Sequence, residues 1–160
     1  MAEYESLLGM VLYPSGQAGQ ADGLPRPALV IGHVHDESES QIVEFADDLS
    51  TAVLDRATGA TYPLNRDRAS TEQFLQAFDE YIRSGPADAP PMTLTAEQAQ
   101  NLIARFQAGK ITPPKPRPRP VPHRTRVKTL RHRLHEIDPD ALGVEHWWRT
   151  PLEEAENGLI

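Results

Sequence analysis

Residues 111–122, Ile-Thr-Pro-Pro-Lys-Pro-Arg-Pro-Arg-Pro-Val-Pro, contain six prolines. Each proline locks φ and lacks an amide donor, so the stretch is barred from helix interiors and central strands. It favours extended polyproline II, and at about 3.1 Å per residue it spans roughly 35–40 Å. The chain before it must fold without it, and the chain after it hangs on a tether. The expected division is a core domain over 1–109, a Pro/Arg/Lys-rich linker over 110–122 and a C-terminal helical segment over 123–160.

Charge follows nearly the same cuts. Residues 1–109 hold sixteen Asp or Glu against six Lys or Arg, residues 110–135 hold nine Lys or Arg and no acid, and residues 136–160 hold seven acids and one Arg. The net charge of −7 therefore hides an acidic body with a basic stripe. That suits docking within the chain, or two electrostatically different partners. No run approaches the roughly 18 apolar residues of a span, so no membrane is expected as a partner. The N-terminus has acids where a secretory signal needs a basic start. With no cysteine there is no disulfide framework and no thiolate chemistry. A cytoplasmic location is expected.

The body reads as α+β. Met10–Tyr13, Ala28–Val34, Gln41–Ala46, Thr51–Asp55 and Thr61–Leu64 carry strand patterns, and Gly16–Pro27 reads as a loop. Gly59 supplies the positive φ of a hairpin, and Pro63 puts its strand at an edge. Ser70-Thr-Glu-Gln73 has the form of a capping box for a helix that repeats Phe74, Leu75, Phe78, Tyr81 and Ile82. Thr95-Ala-Glu-Gln98 repeats the form before Ala99, Leu102, Ile103 and Phe106, with Gly109 at the stop. A basic helix is expected over 123–137, with Val127, Leu130, Leu134 and Ile137 on one face. A short last helix is expected within 145–156.

The chemistry-bearing patterns are few. No phosphate loop, nucleophile elbow or zinc-protease signature is present. His33-Val-His35 and His132-Arg-Leu-His135 each offer two imidazoles on one face without a third ligand, so no metal and no cofactor is expected. The basic stripe suits phosphates, a PxxP-type ligand or a plain tether, and it lacks the aromatic residues of single-strand binders. Nucleic acid is not the expected partner. The acidic turns Asp36, Glu37, Glu39 and Asp47, Asp48 suit a basic protein partner or ordinary solvated loops. Trp147 and Trp148 are a large apolar payload, on the order of 200 Å² each, that must dock on the chain's own body or on a partner.

The string Leu134-His-Glu-Ile-Asp-Pro-Asp-Ala-Leu142, then Glu145-His-Trp-Trp148, then Leu152-Glu-Glu and Asn157-Gly-Leu-Ile160, resembles the tail of the fourth SUKH immunity subfamily from actinobacterial polymorphic toxin systems. Val30-Ile-Gly-His33, Val53-Leu-Asp-Arg-Ala-Thr-Gly-Ala-Thr-Tyr62 and Ser70-Thr-Glu-Gln-Phe-Leu75 resemble that family's closing sheet and helix. Tyr62 stands where the family commonly has Trp, and the family's longer N-terminal region has no counterpart here. The resemblance implies an α+β fold with a mainly antiparallel sheet and flanking helices. It also implies a non-catalytic protein that binds and neutralises a cognate toxin, often a nuclease or nucleic-acid deaminase. The competing reading is a structural or adaptor protein whose Trp-bearing tail docks into a partner or another copy of the chain. On either reading Asp36, Glu37, Glu39, Asp47, Asp48, Trp147 and Trp148 are the expected partner-binding residues.

Overall fold

The structure is a computed structural model that describes residues 4–15, 19–86, 95–110 and 119–160. The polyproline reading of 111–118 falls outside them. The strands are β1 (Tyr4–Glu5), β2 (Met10–Leu12), β3 (Gly19–Gln20), β4 (Ala28–Val34), β5 (Ser40–Phe45), β6 (Thr51–Asp55) and β7 (Thr61–Pro63). All pairings are antiparallel, in the order β1-β2-β4-β5-β6-β7, with β3 also on β4. The α+β architecture is as expected, and Pro63 sits in the edge strand.

Both faces of the sheet are covered. Strand side chains alternate, so Ile42 and Val53 join the helices while Val43, Ala52 and Leu54 face the other way. On that second face Tyr13, Ala21 and Leu24 pack from residues 13–24. This is why Gly16–Pro27 is not purely a loop: its two-residue β3 pairs with Leu29 and Val30. Gly32 is obligatory, because a Cβ there would meet the Val11 carbonyl oxygen at 2.1 Å.

The helices are α1 (Arg68–Arg83), α2 (Ala96–Gln107), α3 (His123–Ile137) and α4 (Arg149–Glu156), with a 3-10 turn at Pro139–Leu142. The expected Ser70 cap of α1 is corrected to Asp67, whose side chain accepts from the Ser70 amide at 2.7 Å. A carboxylate outcompetes a hydroxyl there because its charge also meets the positive helix end. That amide bond holds the Asp67 carboxyl below the ordinary aspartate range. Helix α2 has the expected capping box between Thr95 and Gln98, and Gly109 comes after it with φ +65°.

The chain forms two compact units, and their membership differs from the expected division. One comprises residues through Ser84 together with Pro122–Ile160; the other, Gly85–Val121, contains α2. In the first unit Phe74, Leu75 and Phe78 of α1 are fully buried against Met10, Ile31, Ile42 and Val53 of the sheet. Leu130 and Leu134 of α3 are buried in the same core, and Val127 and Ile137 pack at its margin. In the second unit no residue of α2 is buried. Among the described residues no helix is long and apolar enough to cross a membrane.

Candidate interaction surface

The tail is held by a buried polar latch. Thr51 lies in β6, and its hydroxyl pairs with that of Thr71 in α1 at 2.7 Å. The same Oγ1 accepts from the Asn65 amide at 3.1 Å. The Asn65 side chain then reaches the tail twice. Its Nδ2 donates to Asp138 Oδ2 at 3.2 Å, and its Oδ1 accepts from Trp148 Nε1 at 2.9 Å. Asp138 Oδ2 also accepts from the Arg66 amide at 3.0 Å. Buried polar groups need such partners, since an orphaned one costs about 1–3 kcal/mol. Asp138 and Trp148, two of the most distinctive residues of the tail, thus serve one asparagine that the sequence did not single out. A lone Asn between Leu64 and Arg66 carries no pattern, so only the fold reveals it.

Trp148 has no exposed surface. Its ring stacks on Phe78 with centroids 5.7 Å apart and meets Phe74 at 5.1 Å. It belongs to the core of its own chain, so the expectation that it contacts a partner is corrected: an indole with no free face has none to offer. Trp147 stands edge-on to Trp148 at 5.4 Å and remains half-buried. Its amide donates to the Pro63 carbonyl at 3.0 Å, which ties the segment to the outer edge of β7. The pair is not inside a helix. Trp148 is the N-cap of α4, and Pro151 occupies the first turn, where its missing amide has no partner to lose.

The two acidic turns do not form one face. Each is a hairpin turn at one end of β5, whose six residues separate them by about 20 Å. Asp47 and Asp48 are engaged by Arg26 at 2.6 and 2.8 Å, and the Arg26 guanidinium lies 4.1 Å over the Phe45 ring. Asp48 is held below the ordinary range first by the Ser50 hydroxyl and then by the Ser50 amide, with Arg26 adding less. Their charge is largely spent inside the chain. Asp36 likewise accepts from the Ser38 hydroxyl and amide at 2.6 and 2.8 Å, which hold its carboxyl low. Glu37 and Glu39 are exposed.

The Asp36–Glu39 turn lies beside the β6–β7 turn, where the Arg56 amide donates to the Glu39 carbonyl at 2.9 Å. Next to it runs a groove of about 640 Å³ lined by Val53, Tyr62, Pro63, Val144 and Trp147, with Asp55, Glu145 and Arg149 among its polar wall. Tyr62 is 45% exposed and Val144 72%. The Asp55 carboxyl is held low by the Thr58 amide and then the Ala57 amide, so it stays ionised. On the other flank of β7 a cleft of about 390 Å³ is lined by Arg26, Phe45, Asn65, Asp138, Asp140 and His146. Of the expected residues, Trp147 lines the first groove, and the Asp36–Glu39 turn adjoins it through Ser40 without lining it. The groove adds Asp55, Tyr62, Val144 and Glu145, which the sequence reading did not select as binding residues.

His33 and His35 serve the fold, while His132 and His135 are exposed on α3. His33 Nδ1 pairs with the Tyr13 hydroxyl at 2.9 Å, whereas His35 leaves the strand with φ +53° and packs over Gly9. Among the described residues no group of three or more His, Cys, Asp or Glu is placed to hold a metal. No family model, no curated protein and no solved structure matches the chain. The SUKH resemblance therefore rests on its residue strings alone.

Proposed function

We propose that this protein is a non-catalytic, immunity-type binding protein that neutralises a basic protein toxin by stoichiometric contact. The observation that carries the reading is the groove beside β7. Half-exposed Tyr62 and half-buried Trp147 line it together with Asp55, Glu145 and Arg149, and the acidic Asp36–Glu39 turn adjoins it through Ser40. Aromatic anchors inside a polar rim are the usual composition of protein-binding hot spots. The acids steer a basic partner and set the association rate, while the aromatic side chains set the lifetime of the complex. The SUKH-like strings support the same role, with a nuclease or nucleic-acid deaminase as the toxin class and the cytoplasm as the site of action.

The adaptor reading, with the Trp pair plugged into another molecule, is less well supported. It requires Trp148 to leave Phe74, Phe78 and Asn65. Self-association through the tail carries the same cost.

The test is titration of the purified chain against a toxin encoded beside its gene. Inhibition should saturate at a fixed molar ratio and weaken with salt. Lysine at Asp36, Glu37 and Glu39 together should slow association by about tenfold or more. Tyr62→Ala should mainly speed dissociation. Protection at far below one equivalent, or turnover of a substrate, contradicts the proposal.

A further inference from the structure

The cleft of about 390 Å³ on the other flank of β7 lies wholly within the first unit. Its volume falls in the range of small-ligand sites, about 300–1,000 Å³. Leu24, Pro25, Phe45 and Ala52 give it apolar walls, and Asp138 and Asp140 bring carboxylates to it. Asp138 is only 3% exposed. Its hydrogen bonds come from neutral donors, the Asn65 side-chain amide and the Arg66 backbone amide, and both fall on Oδ2. Among the described residues Oδ1 accepts no hydrogen bond, and neither Asp138 nor Asp140 has an ion pair. Buried charges are ordinarily paired. The two arginines that line the cleft do not supply the missing cation. Arg26 is engaged by Asp47 and Asp48 at 2.6 and 2.8 Å, and Arg66 by Asp67 at 3.7 Å and the Ile137 carbonyl at 3.1 Å. An incoming anion would therefore meet cations that already have partners, whereas an incoming cation would meet a carboxylate that has none.

We infer that this cleft is a guanidinium pocket, filled by an arginine side chain of the basic partner held at the adjoining groove. Arginine fits better than lysine. Its planar fork donates to a carboxylate through two N–H groups, and its weakly hydrated faces accept apolar walls. A lysine ammonium is strongly hydrated and would shed that water against Phe45 and Ala52. The partner's position follows from shared lining: Thr61, Pro63 and His146 border both the groove and the cleft. A chain seated in the groove therefore lies against the wall of the pocket. The source of the arginine rests on the toxin reading; the pocket itself does not.

The test is NMR of the isotope-labelled full chain titrated with N-acetyl-arginine methylamide and read at the Trp148 indole N–H. That signal reports on the pocket, because the indole bonds Asn65 and Asn65 bonds Asp138. It should shift and saturate at about millimolar ligand. The lysine counterpart should bind at least about threefold more weakly, and the neutral citrulline counterpart about tenfold or more. Asp140→Asn, an exposed change that leaves the latch intact, should weaken arginine binding about threefold or more. Asp138→Asn should weaken it about tenfold or more, with tryptophan emission unchanged. No saturable shift, an equal response to citrulline, or undiminished binding by Asp140→Asn overturns the pocket. Free arginine bound about a hundredfold more tightly than the blocked form overturns a side chain as the source. The titration uses no toxin, so its failure leaves the toxin reading standing. With a neutralised toxin in hand, Asp140→Asn should speed dissociation of the complex. An unchanged dissociation rate overturns the partner's arginine as the occupant.

Discussion

Helices α1 and α2 both start at a side-chain cap and both repeat large apolar residues at helical spacing, yet α1 buries Phe74, Leu75, Phe78 and Tyr81 while α2 buries nothing. The difference lies in how each is attached. Helix α1 comes after β7 with only Leu64–Asp67 between them, so its stripe must lie against the sheet the chain has just left. Helix α2 lies between Gly85-Pro86 and the prolines of 111–122. Periodicity and caps decide that a helix forms; the flanking chain decides whether a core is within reach.

The largest effect should come from the residues that close α1's surroundings. Trp148→Ala or Phe78→Ala should cost about 3–5 kcal/mol in denaturant unfolding, because each removes a fully buried ring from a shared stack. If either changes stability by less than about 1 kcal/mol, the tail is not part of the core. Next is Asn65→Ala, which orphans the Trp148 indole and strips one donor from Asp138; about 2–3 kcal/mol is expected in the same assay.

Asp67→Ala should cost about 1 kcal/mol, the ordinary worth of an N-cap. Since the folded state lowers the pKa of Asp67, this contribution is present above the ordinary aspartate pKa and fades as pH falls through the lowered one. The difference between wild type and Asp67→Ala should shrink on acidification. A gap that widens in acid contradicts the capping role. Smallest of all, Leu102→Ala and Phe106→Ala should stay within about 0.5 kcal/mol, because no core surrounds them. A loss of several kcal/mol there would erase the contrast between the helices.

Strands β4 to β7, the end of α1 and the bounds of α3 are legible in the sequence because alternation, the Gly85-Pro86 break and the Asp138-Pro139 stop are local signals. The α1 cap reads three residues late, since Ser70 and Gln73 fit the same rule as Asp67. The domain division misleads for a different reason. The tether suggests a detached tail, but Asn65 and the Phe74–Phe78 pair recruit it from about 70 residues away in sequence. Long-range complementarity of that kind leaves no local pattern. The separation of the acidic turns is hidden likewise, because they are near neighbours along the chain and become distant only when β5 extends between them.

The central claim is that the tryptophan segment is core in its own chain. Intrinsic fluorescence tests it most directly, since Trp147 and Trp148 are the only indoles. Isolated, dilute protein should emit at blue-shifted wavelengths, with at least the Trp148 part protected from quencher, and neither property should change with concentration. Red-shifted, freely quenched emission that turns blue only at high concentration or on adding a partner would contradict it.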